Sequence, residues 1–535
     1  MFKELFLYKK PLEKYSFDIA EKQDEEDKKI KTMDFVSEDV LKNLDYVKDV
    51  FSCDKNGDVV IREFDVNVDG KLLKSFLVCV DGLVGSADIN ENILMPLMYL
   101  SDFKKREKEN DEDYIYRRLM PHCQISKMNK INDLLKTVNY GNCAIFIDTL
   151  STGFLADVKN WDHRGVAEPA NETVIQGPHE GFNEMFRVNT GLIRKTLNTE
   201  NLVMEDAKLG KTSQTPAAIC YLKNVANNSL VNEVKYRIQN IDAEYILTSL
   251  NLAQYIEEAT FLSIPQVVAT ERPDRVCNAL VEGRVAIVVG GSPQVLIVPT
   301  TIFDLATSPE DTYLRFPYSL LVRIVRTAAI VLATFAPALF LAILNFHQEL
   351  LLTDILFAIS KARASVPFTT FVELMLMELS FELIKEAGIR VPGPVGSTLG
   401  IVGGLILGQA AVNANIVSPI TIIIVAITGI SSFAIPSYQL SFSFRFMRFI
   451  YTFAAAVAGF LGIFTVLFAD TMLIVNTKSF GVPYSSPVAP RRNEKIWGVF
   501  FEKPVWKKSR RPDYLKPKDN QDSAHISRTW KYKQR

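Results

Sequence analysis

The sequence predicts an α/β soluble N-terminal region of two subdomains followed by an α-helical polytopic membrane domain. Three observations predict it: short β-rich runs mixed with helical apolar spacing up to about residue 300, long uncharged apolar stretches after residue 317, and a basic, polar ending. The 535 residues leave room for several cores at about 150 residues per domain. Charge is balanced, 60 Lys and Arg against 61 Asp and Glu, so there is no overall basic field to hold a nucleic acid and none is expected as a partner. The distribution says more than the sum. Residues 391–444 are 54 consecutive positions without a charge, whereas residues 491–535 carry 14 basic against 5 acidic side chains, a net +9. One crossing needs about 20 apolar residues, so the uncharged stretch reads as two crossings joined by a short turn.

Taken in order, residues 1–40 are a polar tail, mostly solvated, with no fold assigned; residues 41–135 form a first soluble subdomain and 136–317 a second. Within residues 58–80, Val60, Phe64, Val66 and Val68 alternate with Arg62, Glu63, Asp65 and Asn67. Asp69-Gly70 tolerates positive φ and supplies the tight turn of a hairpin. Residues 90–100 have the apolar face of a helix, and 102–116 are a charged helix surface or linker. Residues 143–148, taken as the second subdomain's opening strand, and 217–222 are short buried-strand runs. The second precedes helical spacing at Leu230, Val231, Val234, Ile238 and Ile241. Residues 284–290 and 294–299 flank Gly-Gly-Ser-Pro and predict the hairpin that ends the soluble half.

Residues 318–490 are the membrane domain, with four spans near 324–344, 397–412, 416–435 and 449–475. Residues 350–359 are too short to cross, and residues 368–384 carry Glu373, Glu378 and Glu382, each costly at the bilayer centre. Residues 350–386 are therefore expected as re-entrant or interfacial helices. Residues 1–30 lack a signal-peptide core. Arg315, Arg323 and Arg326 before the first span and Arg491, Arg492, Lys495 and Lys503 after the last then place both termini in the cytosol. Arg445 and Arg448, just before the fourth span, fall on the outer side in that scheme, against the rule, with the aromatic, basic segment 437–448 lying at the interface as the alternative. The tail, residues 491–535, with Trp497 and Trp506 among its basic residues, suits either anionic headgroups or solvent.

Chemical motifs fail on inspection. Asp54-Lys-Asn-Gly-Asp58 has its glycine fourth rather than sixth for a calcium loop, and Gly210-Lys211-Thr212 lacks the glycine five positions earlier that a phosphate cradle needs. The five histidines, His122, His163, His179, His347 and His525, show no ligand spacing. Cys53, Cys79, Cys123, Cys143, Cys220 and Cys277 never form CxxC and read as buried free thiols. No catalytic residue, metal or cofactor is expected.

The membrane half carries the better signals. Gly396, Gly400, Gly404 and Gly408 recur every four residues and make a small-residue strip on a helix. The strip serves either ordinary packing or an oligomer seam and narrow pore wall, since Gln409, Asn413 and Asn415 follow with polar groups that need water or partners. Glu373, Glu378 and Glu382 do not share one face, because steps of five and four residues turn about 140° and then about 40°. One carboxylate could line an aqueous path while the others pair with Lys385 or Arg390.

Residues 377–392, beginning Met-Glu-Leu-Ser-Phe-Glu, with Pro394-Val-Gly396, Gly408-Gln-Ala-Ala-Val412 and Val417-Ser-Pro419, resemble the A subunit of spore germinant receptors, the GerA family. Glu168-Pro169, Glu172 and Gly177-Pro178-His179-Glu180-Gly181-Phe182 resemble the family's soluble motif, as do Glu271–Arg275, Glu282-Gly-Arg284 and Ser308–Asp311. Ser479–Tyr484 resembles the ending after the last span. The resemblance implies a multi-pass protein of the spore inner membrane with its large N-terminal region facing the cytosol. It further implies a homo-oligomer, a pentamer, acting with a transporter-like B subunit and a lipoprotein C subunit as a nutrient-gated cation channel, with the glycine strip at the pore and the 373–386 helix near its mouth. Alternatives are the stage V sporulation F-type paralogue that amplifies germination, a secondary transporter, and a membrane-anchored scaffold without conductance.

Overall fold

The computed structural model describes residues 17–19, 33–68, 70–99, 110–122, 124–159, 168–169, 171–259, 262–390, 394–490, 504 and 510–521. Gly396 and Gly400 lie within a described helix, while Trp497, Trp506 and most of the basic tail fall outside the described residues.

Two five-stranded antiparallel sheets form the soluble half. The first, in spatial order β1-β2-β4-β5-β3, comprises β1 (Val59–Val68), β2 (Lys71–Val80), β3 (Ile125–Met128), β4 (Asn142–Ile147) and β5 (Gly153–Asp157). The expected hairpin forms, with Val68 opposite Lys71 and Gly70 at φ +84°. Helices α1 (Val40–Phe51) and α2 (Ile131–Val138) cover one face through Val47, Phe51, Leu134 and Val138. Ile93 and Ile115, from helical stretches, cover the other with Phe64 and Phe154. One expectation is corrected here: β4, taken as the opening strand of the second subdomain, pairs with β2 in the first sheet (Phe76 opposite Phe146). A continuously buried run fits any interior position and carries no register of its own.

The second sheet, in order β6-β7-β9-β10-β8, comprises β6 (Leu202–Leu209), β7 (Thr215–Leu222), β8 (Val268–Thr270), β9 (Val285–Val289) and β10 (Val295–Val298). Helix α3 (Phe186–Thr196) precedes it, and α4 (Asn228–Gln239), α5 (Ser249–Ile256) and α6 (Pro273–Glu282) pack on it. A buried ion pair joins the two sheets: Arg194 of α3 donates to both oxygens of Asp58, at 2.7 and 2.9 Å. The 1–40 segment is not wholly solvated. Ile19 is buried against Val482 and Leu515, and Phe35 bridges to Lys130. Residues 510–521 of the tail also dock on the second subdomain, where Lys518 donates to the Val225 carbonyl and Leu515 is fully buried.

The helical half contains α7 (Phe316–Phe346), α8 (Thr353–Arg363), α9 (Thr370–Arg390), α10 (Pro394–Asn413), α11 (Pro419–Phe433) and α12 (Tyr438–Asn476). Among the described residues, α7 and α12 are long and apolar enough to cross a membrane, and α11 is a shorter apolar helix. Helix α7, about 46 Å long, exceeds the roughly 30 Å hydrocarbon core, so part of it stands beside the soluble sheets.

Helix α12 corrects the single span expected over 449–475. Ala458 and Gly459 leave helical geometry, Gly459 at φ 58° and ψ −135°. The Tyr451 hydroxyl donates to Asp470, nineteen residues on, at 2.5 Å. A straight helix would hold those residues about 28 Å apart, so the chain doubles back at Gly459 into two arms, residues 438–457 and 460–476.

The contacts orient every leg. Leu440, Phe444 and Ile474 join the core beneath the second sheet, and Ser443 hydrogen-bonds the Ser263 carbonyl, whereas the hairpin tip meets the far end of α7 through Gly459 on Phe346 and Phe460 on His347. Thr370 at the start of α9 touches Asn345, and Asn415 after α10 accepts from Ser365, both at that far end. Six helical legs therefore alternate: α7 away from the soluble sheets, α9 back, α10 away, α11 back, and the two α12 arms away and back. Two corrections follow. Helix α9 is a full 21-residue leg rather than a re-entrant turn. Arg445 and Arg448 lie at the soluble side, which removes the exception to the positive-inside rule.

Candidate functional site: a charged joint and a polar helix face

The soluble motifs, scattered over 140 positions of sequence, converge on one joint. Glu172 sits at its centre, accepting from the Thr270 hydroxyl, from the Glu271 amide at 3.0 Å and from Arg275 at 2.7 Å. Arg272, fully buried, donates to the Pro178 carbonyl at 3.0 Å and is held by Asp274 at 2.8 Å. Phe182 inserts into the core while its amide donates to the Glu271 carbonyl at 2.8 Å. Pro169 and Gly181 are buried as well. Gly177 has φ +134°, and a Cβ there would meet the Tyr313 ring at 2.8 Å, so glycine is required by both backbone and space. Glu168 and Glu180 remain at the surface, paired with His179 at 3.4 Å and Lys195 at 2.7 Å; exposed pairs of this kind contribute little.

From Glu172 the polar contacts continue to the helical half. Arg275 also donates to the Asp304 carbonyl at 2.9 Å, and Arg284 holds the Asp304 side chain bidentately at 2.7 and 2.9 Å. Burial raises the Asp304 carboxyl, but the Arg284 charge and hydrogen bonds from Arg284 and Thr301 outweigh it and leave it below the usual carboxylate range. Asp304 and Asp311 each close a capping box, with Thr301 and Ser308. Asp311, 3% exposed, then receives Arg326 of α7 at 2.7 and 3.0 Å and Arg323 at 3.2 Å. The joint is a continuous run of ion pairs and caps from the 168–182 loop to the first turns of α7.

The three carboxylates of α9 divide as the spacing requires. Glu373, fully buried at the far end, accepts from the Ser418 amide and the Thr421 hydroxyl, both at 3.1 Å, and from Arg363 at 3.4 Å, so it caps the N-terminus of α11. Glu378 and Glu382, one turn apart, converge on α12 instead. Arg448 stands 2.8 Å from each, and Arg445 donates to Glu382 at 2.9 Å. Lys385, expected as a partner, donates to Ser432 at 2.5 Å and lies over the Phe433 ring at 4.2 Å. The α12 arginines were missed as partners; their i, i+3 spacing against the i, i+4 carboxylates was the available signal.

Of the strip's glycines, Gly404 has nothing within 4 Å of where a Cβ would stand, whereas Gly408 is buried and a Cβ there would meet Ile422 of α11 at an ordinary contact distance of 3.7 Å. Gln409 and Asn413 are exposed on the same helix.

The family described as the Bacillus/Clostridium GerA spore germination protein matches residues 45–514. The chain belongs to the GerA family. It is 35% identical over 464 residues to spore germination protein KA of Bacillus subtilis (strain 168), covering 87% of this chain and 85% of that protein. It is 34% identical to spore germination protein GerLA of Bacillus cereus, covering 86% and 93%, and 40% identical over 353 residues to spore germination protein A1 of B. subtilis, covering 66% and 73%. The crystal structure of the N-terminal domain of the A subunit of the Bacillus megaterium spore germinant receptor GerK3 superposes with a TM-score of 0.38 at 26% identity, over 50% of this chain and 97% of that one. A GerA-family role in spore germination and a membrane-associated helical half under a soluble α/β region are thereby the frame for this molecule.

Proposed function

We propose that the chain is the membrane subunit of a spore germinant receptor and forms, with further copies of itself, a nutrient-gated cation channel in the spore inner membrane. The observation that carries this reading is the sparsely covered surface of α10: Gln409 and Asn413, about 40° apart on one face, are exposed, and Gly404, about 140° to 180° round the helix from them, has nothing within 4 Å of where a Cβ would stand. An amide left facing hydrocarbon costs several kcal/mol, so that face favours water or another polar surface, and a small-residue strip lets copies approach closely. A ring of such faces, five in a pentamer, provides a water-lined path with uncharged polar walls. The six legs would cross the membrane with the soluble sheets on the cytosolic side. The joint from Glu172 to Arg326 is the mechanical link by which nutrient binding in a transporter-like B subunit, aided by a lipoprotein C subunit, reaches α7. No catalytic step and no cofactor enters this reading.

Potassium efflux from liposomes carrying the full chain tests it, with wild type compared with Gly404→Trp, and with and without partner subunits and candidate amino acids. Efflux that needs Gly404 and rises with partners and nutrient supports the channel. Absence of efflux under every condition, with assembly intact, supports a scaffold.

A further inference from the structure

Five of the nine buried side-chain atoms that find no hydrogen-bond partner among the described residues belong to one cluster: both oxygens of Glu378, Nε of Arg445, and Nε and Nη1 of Arg448. Glu378 and Arg448 are 2% and 1% exposed. Arg448 Nη2 donates one N–H to Glu382 and lies 2.8 Å from Glu378 Oε2 in an ion contact whose alignment makes no hydrogen bond. Buried charged groups keep their hydrogen bonds almost without exception, and leaving five unmet at one point is costly. The four side chains Glu378, Glu382, Arg445 and Arg448 sum to zero charge, and the nearby Lys385, held by Ser432 and the Phe433 ring, brings the local total to +1. The unmet groups include acceptors and donors side by side, which requires a small neutral species able to do both.

We propose that Glu378, Glu382, Arg445 and Arg448 enclose an internal water site between α9 and α12. At about three hydrogen bonds per buried water, five unmet atoms call for about two waters. The site lies about 7 Å along α12 from Ser443, which touches the soluble domain at Ser263, so water enters from the soluble side. Its consequence rests on the channel reading above. Helix α9 holds α10, the proposed pore helix, on one side and this charged contact on the other. A hydrated ion pair separates more readily than a dry one, because water satisfies each charge as the contact opens. The cluster is then the releasable tie between the pore helix and the arm that feels the soluble domain.

Radiolytic hydroxyl-radical labelling of the full chain in lipid nanodiscs tests the site, since radicals formed from internal water oxidise side chains beside it. Phe449, half-buried with its ring centre 5.5 Å from the Arg448 guanidinium carbon, is expected to oxidise at least tenfold faster than Phe371, equally half-buried but packed in the apolar cluster of the helical half. In a Glu378→Leu/Arg448→Met double variant the Phe449 rate falls to that of Phe371 while soluble-core peptides stay unchanged. Equal rates for Phe449 and Phe371 in the wild type, or an unchanged Phe449 rate in the folded double variant, overturn the water site. If that variant exposes its soluble core, the wild-type comparison alone decides. No ion flux is read, so a negative result removes the water site and leaves the channel reading standing, and a failed efflux assay does the reverse.

Discussion

Removing the charge of Asp311 tests whether the soluble sheets are held to α7 through that one side chain. Asp311 is 3% exposed and faces two guanidiniums, Arg323 and Arg326, at 2.7 to 3.2 Å. Those side chains are only 13% and 11% exposed, so solvent screens them poorly. Breaking a buried pair by neutralising one partner costs about 3–5 kcal/mol, chiefly because the remaining charge is left without compensation. Asp311→Asn keeps an acceptor oxygen and belongs at the lower end, about 3 kcal/mol. Since every 1.4 kcal/mol is tenfold, amide exchange limited by local opening in the first turns of α7 should speed about 100-fold. Hydrogen exchange with mass spectrometry on the full chain in detergent reads this in peptides spanning 308–326, while peptides of β2 and β4 act as unaffected controls. The triple variant Asp311→Leu/Arg323→Leu/Arg326→Met, which removes all three charges of this contact together, should return exchange to within about tenfold of wild type. An increase below about threefold in Asp311→Asn would refute the assignment of Asp311 as the joint.

Other consequences are equally direct. Gly459→Ala places a side chain at φ 58°, ψ −135° and within 2.9 Å of Phe346, so it should destabilise the α12 turn by about 1–3 kcal/mol, seen as faster exchange at both arms; unchanged exchange would argue for a straight helix. Glu373→Gln removes the charged cap of α11 and should cost about 1–3 kcal/mol, read as fraying of residues 418–424 with α12 unaffected. For pH, the Asp304 carboxyl is held below its unfolded value of about 3.9, so its contribution is complete above that value and is lost as pH falls through the lower folded one. Acid titration of exchange in residues 301–307 should therefore show weakening below about pH 4 that is absent in Asp304→Asn, and identical profiles would exclude this carboxylate.

How much was legible in the sequence follows from what each residue type encodes. Asp69-Gly70 between alternating runs fixed a hairpin because turn chemistry and a period of two agree on one register. Glu373 stood apart from Glu378 and Glu382 because helical angles are arithmetic. The doubling of α12 was not legible. Gly459 is one small residue in an apolar run that already contains others, and only its contact with Phe346 shows why the chain turns there. With that turn hidden, the apolar run reads as one span where two arms exist, which puts Arg445 and Arg448 on the wrong side. The joint was half legible: Glu172, Arg275, Arg284 and Asp311 stood out as motif residues, but pairing across more than a hundred positions is a product of the tertiary fold, as Arg275 on Glu172 illustrates. The same holds for Arg194 on Asp58, 136 residues apart.

The most direct measurement of the central claim is thiol block of ion flux. Asn413→Cys, assembled with its partners in liposomes and opened by nutrient, should lose most of its potassium efflux when a charged methanethiosulfonate reagent is added, while the wild type, whose six cysteines all precede the helical half, with Cys79, Cys143, Cys220 and Cys277 buried and Cys53 half-buried, should be little affected. Robust efflux in Asn413→Cys that the reagent leaves unchanged would contradict a path lined by α10.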